Sequence, residues 1–250
     1  MTNFGAIIIG DELLSGKRQD RHFQHVIETL AQRGLELKWC RIIGDDPKLI
    51  VATLSQTLPL DDIVFSFGGI GATPDDHTRQ CAAEAVGMPL YRHPEAAAEI
   101  EARFDAEAYP RRILMADLPQ GSRIIPNPFN RIPGFSLNHH HFLPGFPQMA
   151  WPMMDWVLDK LYPGIRDQAP ETEAVITVLD AMESPLLDLM NEFVRRFPEL
   201  RFSSLPHIGD GGERKVEFGL RGARPTVSEA MAWLKRGVSQ LGFRWMDNPR

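Results

Sequence analysis

Cysteine is scarce. Cys40 and Cys81 are the only two in 250 residues, so neither a zinc motif nor a disulfide-dense framework is available. Long apolar runs are missing too. No stretch approaches the roughly 20 residues that a membrane span needs. The opening Met1-Thr2-Asn3-Phe4-Gly5 has no basic region, and Asp11-Glu12 soon interrupts the apolar stretch, which argues against a leader. A basic excess is the third absence: 27 Lys+Arg stand against 33 Asp+Glu, for a net charge of −6. That argues against a nucleic-acid partner held by a broad basic face. Internal repeats and low-complexity tracts are also absent. These absences lead to the expectation of a soluble, cytoplasmic protein with no membrane or nucleic-acid partner.

What remains is ordinary globular composition, 43% apolar and 24% charged. Its charge is unevenly placed. Residues 172–250 are neutral overall, and the whole of the −6 falls in residues 1–171. If that first part binds a phosphorylated ligand, backbone N–H groups or a bound cation must offset the repulsion.

Residues 4–9 form a short, continuously apolar run ended by Gly10, as in a strand buried on both faces. Phe23, Val26, Ile27 and Leu30 then recur at helical spacing over residues 20–32, up to Gly34. Strands are predicted at 35–43 and 63–67, and helices at 48–58, 74–86 and 94–107. Strand and helix alternate through short connections, which means βαβ units and a parallel sheet. Residues 118–147 are rich in Pro, Gly and Asn and read mostly as loop, with short strands at 123–125 and 142–143. A helix over 147–161 closes a first domain of residues 1–168. After a linker near 163–170, residues 172–250 read β, α, β, α (174–178, 185–196, 216–220 and 226–241), a small α+β domain. Trp233, Phe243 and Trp245 there read as packing residues.

The most informative segment is Gly68-Gly69-Ile70-Gly71-Ala72-Thr73-Pro74-Asp75-Asp76-His77-Thr78. It joins a buried strand to a helix, where ligands bind in parallel α/β sheets. Glycines here permit positive φ and close approach of a ligand, and the following helix start would offer unpaired N–H groups to an anion. It is neither a Walker loop nor Gly-x-Gly-x-x-Gly. Two readings of its acids stand side by side. Thr73 as N-cap, Pro74 at the first helical position and acids just after are good helix-starting chemistry with no function attached. Yet the other strand ends are acidic as well, with Glu12 after the first and Asp45 after the second. In a parallel sheet these ends share one edge, so Glu12, Asp45, Asp75 and Asp76 converge beside the glycine turn. Hard oxygen donors without His or Cys pairs suit Mg²⁺, Mn²⁺ or a similar cation carrying phosphates, with Asp45, Asp75 and Asp76 as its expected ligands.

At these residues the chain resembles the molybdopterin-binding domain family of MogA, MoaB, MoeA and gephyrin, and most of all its CinA branch, which includes the N-terminal part of eukaryotic FAD synthases. Three segments carry the likeness. Residues Gly10 to Lys17 resemble Gly-x-Glu-Leu-Leu-x-Gly, the Gly68–Thr78 segment resembles Gly-Gly-Leu-Gly-Pro-Thr-x-Asp-Asp-x-Thr, and Leu143 to Met149 resemble Leu-Pro-Gly-Val-Pro-x-Glu-Met. The resemblance implies a Rossmann-like, three-layer α/β/α domain that binds a pterin or nucleotide pyrophosphate at its strand ends. Contacts are then expected from Gly10, Ser15, Gly68, Gly69, Gly71, Thr73, Pro144 and Gly145. It further implies divalent-cation-dependent hydrolysis (Mg or Co) of ADP-ribose- or FAD-like pyrophosphates, with Asp76, Asp45 and Glu12 as the catalytic acids, and self-association into homo-oligomers. The alternatives are a non-catalytic molybdopterin or nucleotide binder, and MogA-like adenylyl transfer to molybdopterin. This chain departs from the pattern at Ala72 (usually Pro), His22 (usually Asn), Arg131-Ile132 and Gln148 (usually Glu). Arg131 reads as an exposed loop residue or a phosphate contact. Of His139-His140-His141, only the first and third can share a face if the run is extended, so a local polar role is simpler than a metal site.

Overall fold

The computed structural model describes residues 3–165, 171–209 and 212–248. The chain divides into two compact units, Met1–Arg166 and Asp167–Arg250. Much of the expected linker (166–170) lies outside the described residues.

In chain order the first unit comprises β1 (Phe4–Ile9), α1 (Asp11–Leu14), α2 (His22–Ala31), β2 (Leu37–Ile43), α3 (Pro47–Thr57), β3 (Ile63–Phe67), α4 (Thr78–Ala85), β4 (Leu90–Arg92), α5 (Pro94–Phe104), two 3-10 turns at Asp105–Ala108 and Arg112–Ala116, β5 (Asp117–Pro119), β6 (Arg123–Ile125), β7 (Gly134–Leu137), β8 (His140–Leu143) and α6 (Pro147–Leu161). Its central sheet has the order β2-β1-β3-β8-β7-β6. The first four strands are parallel, and β7 runs against β8 and β6. All six residues of β1 are buried, because helices cover both faces. Its side chains alternate between two cores. Ile7 and Ile9 join Ile50 of α3, Ala82 of α4 and Ile100 of α5. Phe4 and Ile8 join Val26 of α2 and Met153 of α6. This is a parallel-rich α/β sandwich of three layers, as the alternation predicts.

Two expectations for the first unit are corrected. Residues 118–147 remain mostly turn and loop, with the strand at 123–125 as expected, but the strand expected at 142–143 begins at His140 as the interior parallel strand β8, and β7 is added beside it. The apolar pattern failed there because β8 buries two histidines. His140 meets the Thr57 hydroxyl at 2.9 Å, and on the opposite face His141 meets Ser136 Oγ at 2.8 Å and the Tyr162 hydroxyl at 2.9 Å. Hydrogen bonding makes these polar groups tolerable inside. His139 also approaches Tyr162, at 3.3 Å, so the first and third histidines do share a partner. The second correction is the helix expected from Pro74, which begins at Thr78. Thr73 is therefore not an N-cap.

The second unit holds β9 (Thr172–Leu179), α7 (Leu187–Arg196), β10 (Arg201–Ile208), β11 (Arg214–Gly222), α8 (Arg224–Gln240) and β12 (Arg244–Asp247). Its sheet, β10-β11-β9-β12, is antiparallel throughout. Two strands were not legible in the β, α, β, α reading. β10 contains Pro206, which an edge strand accepts and an interior one does not, and β12 is short. Ile176, Phe193, Phe218 and Leu234 make the core, against which Trp233, Phe243 and Trp245 pack. No helix among the described residues is long and apolar enough to cross a membrane.

Candidate functional site

Parallel pairing brings the carboxyl ends of β2, β1, β3 and β8 to one edge of the sheet. The loops leaving them enclose a crevice of about 410 Å³. Gly10 and Glu12 line it from β1, Asp45 from β2, the Gly68–Thr73 bend with Asp75 and Asp76 from β3, and Pro144 and Gly145 from β8. Ser15 does not line it. Its hydroxyl instead donates to the Glu12 carbonyl at 3.3 Å.

The glycine bend is held by backbone requirements. Gly68 and Gly69 have φ of 105° and 69°, a region that L side chains seldom occupy. A Cβ on Gly68 would collide with the Ile9 carbonyl, and one on Gly69 with the Thr78 hydroxyl. Thr78 ties the bend down, since its N–H donates to Gly69 O at 2.9 Å and its hydroxyl to Gly68 O at 3.0 Å. Among the described residues the N–H groups of Gly69, Ile70, Gly71 and Ala72 donate to no protein acceptor. Successive unpaired N–H groups in such a bend form an anion-binding concavity. Such unpaired N–H groups were expected at a helix start near Pro74; they lie in the bend itself instead.

The acids differ in what holds them. Asp76 Oδ2 accepts from the Thr73 N–H at 2.8 Å and from the Thr73 hydroxyl at 2.5 Å, closing the turn that displaces the helix start. Hydrogen bonding to Thr73, and to its own backbone, keeps the exposed Asp75 carboxyl below its ordinary pKa. Asp45 is different. Burial raises its pKa, hydrogen bonding from the Asp11 N–H opposes this, and the negative charges of Asp11, Glu12 and Asp75 raise it further. These like charges are close enough to repel one another, and Asp45 is not a helix cap. That task falls to Asp46, which accepts from the Lys48 N–H.

Among the described residues no three His, Cys, Asp or Glu side chains are grouped closely enough to hold a metal ion by themselves. The expected trio Asp45, Asp75 and Asp76 is therefore no closed cage. Its oxygen donors fit a cation that takes one or two carboxylates and completes its shell with ligand phosphates and water, as Mg²⁺ commonly does.

Several residues of the site escaped the sequence reading. Arg18 lines the crevice and brings a positive charge to it, while Met115, Ile132, Phe146 and Met149 add apolar lining. Asn127 and Asn130 line it too. Arg79, buried at 4% exposure on α4, donates to the carbonyls of Gly71 (2.7 Å), Leu114 (2.6 Å) and Asp117 (2.9 Å). It clamps the glycine bend to the following 3-10 segment. His22, from the start of α2, stacks on Phe67 at 4.3 Å and meets the Gly145 carbonyl at 3.1 Å, bracing the β8 loop from below. Burial lowers its pKa. Arg131 does not reach the crevice and pairs with Glu99 at 2.8 Å.

Comparison with known proteins agrees with this fold. The chain belongs to the family described as probable molybdopterin-binding domains, whose pattern matches residues 5–163. A CinA-like protein of Syntrophotalea carbinolica is 34% identical over 189 residues, covering 72% of this chain and 46% of its own length. A protein of Caldivirga maquilingensis is 29% identical over 95% of both chains. The crystal structure of the protein CinA from Thermoplasma acidophilum, described as of unknown function, superposes with a TM-score of 0.58 and 26% identity. It covers 64% of this chain and 99% of that one. The chain spans less than half the length of the CinA-like relatives it matches first.

Proposed function

We propose that this chain binds a nucleotide- or pterin-type pyrophosphate in the crevice and hydrolyses dinucleotides of the ADP-ribose or FAD kind with the help of a divalent cation such as Mg²⁺ or Co²⁺. One observation carries the reading: Glu12, Asp45, Asp75 and Asp76 line the same crevice as a glycine bend with unpaired N–H groups.

In this reading the N–H groups of Gly69 to Ala72 receive one phosphate and Arg18 offsets part of the ligand's charge. The apolar lining at Phe146 and Met149 takes a flat ring. One or two carboxylates of the set Asp45, Asp75 and Asp76 would hold the cation, with ligand phosphates and water completing its shell, and the bound cation would supply polarisation of the pyrophosphate. Glu12 orients a water molecule in line with phosphorus and accepts its proton. Thr73 fixes Asp76, so that carboxylate reaches the ligand without reorganisation.

A second reading, a binding module for molybdopterin or a nucleotide without chemistry, is favoured by the lack of a grouped trio of ligands and by Thr73 occupying Asp76 Oδ2. One experiment separates them. ADP-ribose, FAD and molybdopterin are titrated at equilibrium, and phosphorus-containing products are followed with and without Mg²⁺ or Co²⁺. Metal-stimulated product from the wild type, lost in Asp76→Asn with unchanged circular dichroism, supports the enzyme. Saturation without product supports the binder.

A further inference from the structure

A second cavity, of about 670 Å³, lies at the other edge of the same sheet. Leu58 to Asp61, which precede β3, and Asn138 and His139, which precede β8, line it, together with Arg123 at the start of β6. It is therefore at the amino ends of the parallel strands and shares no residue with the crevice at their carboxyl ends.

Its floor is an unbroken polar chain. Ser136 Oγ, His141, the Tyr162 hydroxyl and His139 follow one another at 2.8, 2.9 and 3.3 Å. His141 is 1% exposed and Ser136 6%. Burying such groups is unfavourable unless each finds a partner, and here each does. Burial pushes the His141 pKa down to about 3, so that ring is neutral.

The charge sits on the walls. Arg123 and Asp61 both line the cavity, yet among the described residues neither makes an ion pair or side-chain hydrogen bond, with each other or with any other group. Leu58, Leu60 and Leu161 add apolar surface. A simple anion would meet Arg123 but be opposed by Asp61, and a simple cation the reverse. A molecule with both signs and an apolar body satisfies all three features.

We infer that this cavity is a binding site for a small zwitterion of the amino-acid class, its carboxylate on Arg123, its ammonium group on Asp61 and its apolar side chain against Leu58, Leu60 and Leu161. Free amino acids and short peptides share this chemistry. The site is independent of the function proposed above.

The test is calorimetric titration of the full chain with L-phenylalanine and the dipeptide Leu-Phe, beside 2-phenylethylamine, which lacks the carboxylate, and 3-phenylpropionate, which lacks the ammonium group. At least one zwitterion is expected to bind at least tenfold more tightly than both singly charged analogues. Arg123→Ala and Asp61→Asn, both exposed substitutions, are each expected to weaken it tenfold or more with unchanged melting temperature. Asp76→Asn is expected to leave it unaltered. Absence of binding by both zwitterions up to millimolar concentration overturns the inference. So does an analogue that binds as well as the zwitterion, or loss of binding in Asp76→Asn, which would place the ligand in the other crevice. Preference between amino acid and dipeptide decides the source.

Discussion

Asp11 and Asp45 hold each other's backbones: the Asp11 N–H donates to Asp45 Oδ2 at 2.8 Å, and the Asp45 N–H donates to Asp11 Oδ1 at 3.1 Å. The pair staples the end of β1 to the end of β2 and fixes Asp45 at the crevice. It also forces two carboxylates together, so the site carries a repulsion that a cation or an N–H-rich ligand interface would relieve.

That repulsion has a measurable sign. The folded-state pKa of Asp45 is raised, mainly by burial. Its contribution to stability is thus greatest at low pH and declines as pH rises through the ordinary carboxylate value towards the folded one. Asp45→Asn retains an acceptor for the Asp11 N–H and removes the charge. It should stabilise the apo protein at pH 7 by about 0.5 kcal/mol, or roughly 1–2 °C in melting temperature, with a smaller gain in high salt. A lower melting temperature at pH 7 would contradict the repulsion.

Gly69→Ala should be strongly destabilising, because it combines positive φ with a clash against the Thr78 hydroxyl. We expect a loss of about 2 kcal/mol or more. Gly87 has a similar φ of 65° but open space around it, so Gly87→Ala should lose only the backbone part, about 1 kcal/mol. Denaturant midpoints of the two variants isolate the contact at the bend, and equal losses would show that the contact contributes nothing.

Arg79→Met removes three donors at once and leaves the carbonyls of Gly71, Leu114 and Asp117 without that partner. A loss of about 3 kcal/mol is expected, with faster amide exchange across residues 69–73 than across β1. Unchanged exchange in the bend would deny Arg79 its clamping role.

Acid should unfold the first unit through β8. Burial lowers His140 to about 4 and His141 to about 3, whereas the unfolded chain binds protons near 6.5. Above that value both rings are neutral in both states and stability is complete. Below it, stability falls by about 1.4 kcal/mol per pH unit for each ring until the folded values are reached. Urea midpoints at pH 7, 6 and 5 give the slope, and His141→Gln should remove about half of it. A flat profile between pH 7 and 5 would contradict it.

How far the sequence could be read follows from how its signals are written. Local signals were clear: Phe4–Ile9 as a doubly buried strand, Phe23 to Leu30 as a helix face, and the glycines of 68–71 as a bend. The parallel order they imply places Glu12, Asp45, Asp75 and Asp76 on one edge. Three things were hidden because a distant partner decides them. β8 buries histidines that only Thr57, Ser136 and Tyr162 make acceptable. β10 carries Pro206 that only its edge position permits. Arg79 looks like any helix arginine until Leu114 and Asp117 fold over it.

Sequence alone therefore determined the layers, the edge at which ligands would meet the sheet, and the acidic character of that edge. Local periodicity and turn chemistry are properties of neighbouring residues. Where α4 starts is a local contest, in which the Asp76 carboxylate folds back onto Thr73 and outcompetes the capping reading. Tertiary structure decided that Arg79 ties the bend to Leu114 and Asp117. It also decided which acids share a crevice without closing into a cage, and it opened a second polar cavity at the far edge. Those outcomes depend on distances between residues tens of positions apart, which no run of letters specifies until the chain has folded.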